Sequence, residues 1–288
     1  MRRWMLGIMT SRPFRFGVSL FNVGSRSAWR ARAREVEDLG YDVLQVPDHL
    51  GTAAPFPALV AAADVTSIRL GTYVLNAGIL NPTYLARDVA DVHRLTDGRL
   101  ELGLGTGYVP AEFDAAGVPF GTGGQRLRKL EATLAELRAL LAKETGTPSP
   151  PIMLSGAGER MLRFAGREAD IFSFSILAGL TDGLSPEDAF GRRVDALREA
   201  AGDRVDDIEL NLFVAAVGDS ADKVDLSIIR DASGLSDEQL LQLPGVLVGS
   251  SREIADRLLR YREQFGLSYI SVLQPHTAAF AEVIKHLR

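Results

Sequence analysis

The chain has 288 residues, 46% hydrophobic and 24% charged, with a formal net charge of −5. That is the composition of a globular protein. The mild acidity, with no basic run, argues against nucleic acid or an anionic membrane surface as partner. There is no cysteine, which excludes disulfides, thiolate nucleophiles and Cys-ligated zinc or iron–sulfur sites.

In chain order, residues 1–13 (MRRWMLGIMTSRP) hold two arginines and an apolar run too short for a signal peptide, with no small-residue cleavage site. They read as a frayed extension, with Met9 as an alternative start. No apolar run approaches the ~18–20 residues that span a bilayer, and the expected compartment is the cytoplasm.

From Phe14 the same grammar repeats. FRFGVSLF is an alternating strand, followed by the helix SAWRARAREVEDLG with Ser27 as its expected N-cap. YDVLQVPDHL ends a second strand in polar residues, and PALVAAADVT is its helix. IRLGTYVLNAGIL is the third strand, followed by PTYLARDVADVHRLTDG with Pro82 at the first helical position. RLELGLGTG is the fourth strand, then a loop, then RLRKLEATLAELRALLAKE. Strands start near 14, 42, 69 and 100, a period of about 30 residues that a βαβ crossover requires and that implies a parallel sheet.

The second half continues with the strand PIMLSGAG, the helix ERMLRFAGREA and the strand DIFSFSI. A helix capped by Ser185 with Pro186 in first position follows, then the strand DIELNLFVAAV. Ser250 and Glu253 stand in capping-box spacing before the next helix, and SYISVL and AAFAEVIKHLR close the chain. Eight strands, nearly all followed by helices and divided by no linker, predict one domain over 14–288, an α/β (β/α)8 TIM barrel. A doubly wound open sheet is the alternative. Segments near 175–190 and 218–249 exceed the minimal repeat; SDEQLLQL in the second predicts an extra helix, and both are placed at the C-terminal mouth.

Chemistry-bearing residues collect at strand ends. The glycines 103, 105 and 107 are not a dinucleotide fingerprint. Their spacing is G-x-G-x-G, Tyr108 stands where the third fingerprint glycine belongs, they follow the fourth strand, and a loop comes next. Two compatible readings remain: Gly103 and Gly105 face a crowded interior, and Gly105–Gly107 let a flat ligand lie close. Asp48 and His49 end the second strand, either as a functional pair at the catalytic end or as an N-cap with an incidental surface histidine. Asn76 lies in a turn that lines the same mouth. LSGAGER offers backbone N–H groups to a phosphate at a helix start, or is a left-handed turn that needs Gly156 and Gly158. His93 and His286 are placed in helices and His276 after the last strand. No zincin, serine-hydrolase or P-loop motif occurs, and no metal site is expected.

Taken together, LGYDVLQVPDHL, LGTYVLNAGILNPTYLARDVADVHRLTDGRLELGLGTGY and PIMLSGAGERMLRFAGREADIF resemble the luciferase-like monooxygenase superfamily, and within it the branch that uses the deazaflavin coenzyme F420. The resemblance implies a (β/α)8 barrel, usually a homodimer, with the cofactor in the mouth. It also implies a non-proline cis peptide at Tyr73-Val74 in a bulge that supports the ring, with Asn76 nearby. Asp48 and His49 match the pair facing the ring, Gly107 and Tyr108 the turn beside it, and Ser155, Gly156, Ala157 and Gly158 the phosphate turn. The residues expected to be catalytic are His49, as acid/base, and Tyr108. Related sugar-phosphate dehydrogenases carry a glutamate where this chain has Tyr108, with Glu112 further along the loop, so sugar-phosphate oxidation is not expected. The expected activity is hydride transfer between F420 and a small organic substrate. The alternatives are an FMNH2-dependent monooxygenase, which needs a flavin reductase partner, and a barrel that binds a cofactor without turnover.

Overall fold

In the computed structural model, which describes residues 12–143, 149–180 and 183–288, the strand–helix alternation closes on itself. In chain order the elements are β1 (Arg15–Ser19), α1 (Arg26–Asp38), β2 (Val43–Val46), α2 (Pro55–Ala63), β3 (Arg69–Thr72), β4 (Leu75–Asn76), α3 (Pro82–Leu95), β5 (Leu100–Gly105), α4 (Pro110–Ala115) and α5 (Gly123–Leu141). There follow β6 (Ile152–Gly156), α6 (Glu159–Glu168), β7 (Ile171–Phe174), α7 (Pro186–Ala201), β8 (Glu209–Val214), β9 (Ala216–Gly218), α8 (Ser227–Ser233) and α9 (Asp237–Leu241). The last are β10 (Val246–Val248), α10 (Ser251–Phe265), β11 (Leu267–Leu273) and α11 (Thr277–Leu287). The expected extension lies, up to residue 11, outside the described residues, as do residues 181 and 182 of the first insertion.

Around the barrel the order is β1, β2, β3 with β4, β5, β6, β7, β8, β11 and back to β1, every pairing parallel. β3 and β4 are two halves of one staved position, so the described residues form a closed eight-stranded (β/α)8 barrel. The open-sheet alternative is excluded by the β1–β11 and β3–β5 pairings. β3 pairs with β5 only at Leu70↔Leu100 and Gly71↔Glu101. Beyond the break, β4 resumes with Leu75↔Leu104 and Asn76↔Gly105. Between the two, the Thr72 hydroxyl accepts from Gly103 N at 2.8 Å and donates to Gly103 O at 2.9 Å.

Helices bind the barrel through apolar stripes. α1 buries Trp29, Ala33 and Val36, and the Trp29 indole donates to Ala58 O at 2.8 Å, satisfying the one polar atom that burial of this ring brings. Inside the barrel the strands carry polar groups that pair with one another. Tyr73 Oη meets Ser173 Oγ at 2.7 Å and donates to Asn211 Oδ1 at 2.9 Å, and Asn211 Nδ2 donates to Ser271 Oγ at 2.8 Å. Ion pairs close the N-terminal end: Glu101 takes Arg15 at 2.7 Å and Arg69 at 2.6 Å, and Arg15 also holds Glu209 at 2.7 Å.

Three local readings are corrected. α1 is capped by Ser25, whose side chain accepts from Ala28 N, rather than by Ser27. The stretch after β5 read as a loop contains α4, and the strand read from 207 to 217 is β8 and β9, broken where Ala215 N turns to Gly245 O. The insertion at 218–249 contains the expected helix as α9, together with α8 and the parallel pair β9–β10, which pack on a small separate apolar cluster around Leu226, Leu240 and Val246. No described helix is long and apolar enough to cross a membrane.

Candidate active site at the barrel mouth

β2 ends at Val46, and the chain turns outward through Pro47 to Asp48 and His49. Asp48 Oδ2 accepts the Asn76 backbone N–H at 3.0 Å, tying the end of β2 to β4. Burial pushes the Asp48 carboxyl up; the Asn76 hydrogen bond pulls it down, the Glu112 charge pushes it up and His49 pulls it down. The Asp48 side chain therefore serves as an acceptor that fixes the bulge, and it caps no helix: the residue before α2 is Ala54.

Between β3 and β4 the Tyr73-Val74 peptide is cis, at the position the resemblance implies. Tyr73 turns its ring into the barrel toward Ser173 and Asn211, and burial raises its hydroxyl above the usual range. Val74 packs against the glycines of β5: a Cβ on Gly103 would lie 2.9 Å from Val74 Cγ1, and one on Gly105 would lie 2.8 Å from Val74 Cγ2. The crowded-interior reading of these glycines holds, and the crowd is the bulge itself. Asn76 accepts from Gly78 N through Oδ1 at 3.0 Å, while its Nδ2 is buried without a partner.

After β5 the chain passes Gly107, at φ +72°, whose absent Cβ would stand 2.2 Å from Asn76 Oδ1. Only glycine fits that backbone conformation and that approach. Arg126 Nε holds Gly107 O at 3.1 Å. Tyr108 then lays its ring edge-to-face on His49, centroids 5.4 Å apart, with its hydroxyl 3.1 Å from His49 Nε2. Tyr108 is 65% exposed, so this contact faces the open mouth. Partial desolvation and then the Glu112 charge raise Tyr108 above the ordinary phenol range. On the other side of the ring, His49 Nδ1 lies 2.8 Å from Glu112 Oε1, which also accepts from Leu50 N at 3.2 Å. Glu112 is 7% exposed.

Glu112 was missed from the sequence because α4 was read as loop. Its signal was present: Val109-Pro110 followed by Ala-Glu is a helix start with proline in the first turn and an acid beside the positive helix end. The glutamate that the resemblance places at 108 is absent, and a carboxylate from one turn of helix later reaches the histidine instead.

Ser155, Gly156, Ala157 and Gly158 run from the end of β6 into α6. The left-handed-turn reading is wrong: Gly156 and Gly158 have no positive φ. Gly156 is needed because a Cβ would meet Met161 Cγ at 2.8 Å. Gly158 is the N-cap of α6 with no side-chain cap bond, and a Cβ there would meet nothing within 4 Å. The first turn of α6 thus has no side-chain cap, and there is open space beside Gly158. The position a Gly124 Cβ would take is 2.9 Å from Arg160 Nη1 and 3.7 Å from Arg128 Nη1, so a guanidinium from the first turn of α6 and one from α5 converge beside the start of α5. The Ala157 carbonyl is held by Arg193.

The remaining histidines lie apart. His93 is buried in α3, His286 meets Ser251 on the surface at 3.2 Å, and His276 is buried behind the last strand. Among the described residues no group of three or more His, Asp or Glu side chains is placed to hold a metal ion. Asp48, His49, Tyr73, Val74, Asn76, Gly107 and Tyr108 thus form one connected set on β2, β3–β4 and β5, with the Ser155–Gly158 turn on the neighbouring β6.

The model of the family described as luciferase-like monooxygenase matches residues 13–233. A 5,10-methylenetetrahydromethanopterin reductase from Methanolobus tindarius is 30% identical over 156 residues, covering 48% of this chain and 47% of that protein. A phthiodiolone/phenolphthiodiolone dimycocerosates ketoreductase from a Mycobacterium species (strain JLS) is 28% identical over 243 residues, 72% of this chain and 61% of that protein. The chain therefore spans about half to three fifths of the length of these curated relatives. Among solved structures, the coenzyme F420 dependent tetrahydromethanopterin reductase of Methanopyrus kandleri superposes with a TM-score of 0.72 at 17% identity, covering 96% of this chain and 100% of that one. An F420-dependent secondary alcohol dehydrogenase in complex with an F420-acetone adduct gives 0.75 at 15% identity, over 96% and 98%. A long-chain alkane monooxygenase gives 0.75 at 14%, over 96% and 92%. At these identities the superpositions establish the shared fold.

Proposed function

The chain belongs to the luciferase-like monooxygenase family, and from that membership we propose that it is an F420-dependent oxidoreductase moving a hydride between the deazaflavin and a small hydroxyl- or carbonyl-bearing substrate. The observation that carries the reading is the hydrogen-bonded pair of Tyr108 and His49 at the open mouth, 3.1 Å apart, beside the cis Tyr73-Val74 bulge. Names of neighbours support it: two of the superposing structures are described as F420-dependent, one of them acting on a secondary alcohol.

The residues present suit such a cofactor. The buried, unpartnered Asn76 Nδ2 is a donor waiting for an acceptor, since buried polar groups are otherwise paired. The uncapped first turn of α6, which carries Arg160, suits a phosphate. When bound, the deazaflavin supplies hydride transfer without oxygen chemistry. This chain's part is orientation, exclusion of water and the proton. The bulge at Tyr73-Val74 and Asn76 would support the ring, and Ser155–Gly158 would hold the phosphate. Tyr108 and His49 would exchange a proton with the substrate oxygen, a contribution of about 10²–10⁴ in rate for a positioned acid/base.

The test is a titration with F420 and with FMN, read by fluorescence quenching, followed by F420 reduction on a panel of secondary alcohols. Tighter binding of F420 is expected. His49→Ala should retain F420 binding and lose at least about 100-fold in turnover. Preferential binding of reduced FMN with oxygen consumption would replace this reading with a monooxygenase. F420 binding with no hydride exchange on any redox partner would make the barrel a carrier.

A further inference from the structure

We propose that Glu112 is a positioning residue that fixes His49 with its proton on Nδ1, so that Nε2 is turned to the Tyr108 hydroxyl and substrate protons reach the histidine through the tyrosine.

The assignment follows from which atoms can donate. Glu112 Oε1 lies 2.8 Å from His49 Nδ1 and already accepts from Leu50 N at 3.2 Å. A carboxylate has only acceptors to offer, so Nδ1 must carry the hydrogen. A neutral ring with its proton on Nδ1 has a bare lone pair at Nε2, and the Tyr108 hydroxyl at 3.1 Å is the donor that faces it. The buried end of the relay is the carboxylate and the exposed end is the phenol. His49 sits between them with both ring nitrogens engaged. The opposite tautomer would set a bare nitrogen against a buried carboxylate and leave Leu50 N as that oxygen's only donor.

The geometry changes which group meets the substrate. With Nε2 occupied, the hydroxyl of Tyr108 is the first protein group a substrate in the mouth encounters. In the oxidation of an alcohol, the substrate O–H proton passes to the Tyr108 oxygen while the Tyr108 proton passes to Nε2. With a deazaflavin bound as hydride acceptor, the carbinol carbon would give up its hydride and its C–O bond would become C=O. Tyr108 ends neutral, and His49 ends as an imidazolium whose Nδ1–H faces the Glu112 carboxylate. The reverse sequence protonates a carbonyl oxygen. Glu112 thus does for His49 what a second carboxylate does in other relays: it orients the ring and stabilises the cation that forms. A tyrosine replaces the acid that the resemblance places at position 108, and Glu112 supplies the negative charge one step further back. This role rests on the F420 reading for its hydride acceptor, but the tautomer does not.

The experiment is nitrogen-15 correlation spectroscopy of the ring nitrogens in the cofactor-free protein, at a pH where the imidazoles are neutral. The chain has four histidines, so replacing each in turn assigns the spectrum. Wild type should show His49 protonated on Nδ1. Glu112→Ala should return it toward the Nε2–H form that free histidine prefers. Glu112→Gln should restore the Nδ1–H form, because the amide oxygen still accepts, while lowering kcat about tenfold on the alcohol panel at unchanged KM. Tyr108→Phe should shift Nε2 to the position of a nitrogen without a donor. A wild-type His49 protonated on Nε2, a tautomer indifferent to Glu112→Ala, or an Nε2 signal unmoved in Tyr108→Phe would each overturn the proposal. A chain with the expected ring signals that reduces no F420 would support the Glu112-fixed tautomer and overturn the functional reading.

Discussion

At Gly103 a Cβ would lie 2.1 Å from the Thr72 carbonyl oxygen, a backbone atom with nowhere to retreat. Gly103→Ala is therefore expected to cost about 2–3 kcal/mol, the upper range for overpacking, seen as a lower urea midpoint. Gly158→Ala adds a methyl to open space at an N-cap, and should lose under about 1 kcal/mol; equal losses at both sites would refute the packing account of Gly103. Asp48 gives a prediction with a sign. Its carboxyl is raised above 3.8 in the fold, so the folded state binds this proton more readily than the unfolded chain. The ionised form then costs stability above the raised value, and the cost fades as pH falls toward 3.8. Asp48→Asn keeps an oxygen for the Asn76 N–H, so it should melt higher than wild type near neutral pH and converge with it in acid. A variant that melts lower at neutral pH would mean that the charge itself holds the bulge.

Short elements and single turns set the site, and they explain what the sequence did and did not disclose. His276 joins two such elements. Its ring is buried beside the backbone of Ala215 and Val217, and burial lowers its affinity for a proton below the usual 6.5 against the pull of Asp225 and the two backbone bonds. A base held neutral in the fold leaves stability complete above 6.5 and erodes it as pH falls through that value. Denaturation midpoints should drop between about pH 7.5 and 5.5, and His276→Gln should flatten that slope; an unchanged slope would assign it elsewhere. The longer elements were legible because each carries its own start signal: Asn81 and Pro82 open α3, Ser185 and Pro186 open α7, and Ser250 with Glu253 opens α10. α4 has six residues and β10 has three, too few for periodicity to register. The His49–Glu112 contact spans 63 residues of sequence. It exists because parallel pairing of β2, β3–β4 and β5 sets the ends of β2 and β5 at one mouth, and no local pattern encodes that. The glycines of the β6–α6 turn misled for a related reason: Gly156 is required by Met161, a neighbour across the turn, and not by its own dihedral angles.

Across the whole molecule, the ion-pair cluster and the candidate site occupy opposite ends of the barrel, as the fold favours. Glu101 joins Arg15 and Arg69 at the closed end. Glu101→Gln leaves two guanidinium groups short of a counter-charge. Breaking a buried pair costs about 3–5 kcal/mol, and the partial exposure of both arginines reduces this to about 2–3 kcal/mol. Cofactor affinity should not change, and a parallel loss of F420 binding would show that the two ends are coupled. The circumference itself is uneven. Seven junctions between neighbouring staves are continuous backbone ladders, while the eighth, of β3 and β4 with β5, is interrupted between its two short ladders, where Thr72 Oγ1 both takes Gly103 N–H and gives to Gly103 O. At that level the ring of hydrogen bonds is completed by a side chain. In exchange into heavy water, the Gly103 amide therefore reports the opening of this one seam, separately from global unfolding. Thr72→Val, equal in shape but mute in hydrogen bonding, would leave the cylinder slit on the side that faces Val74 and the mouth.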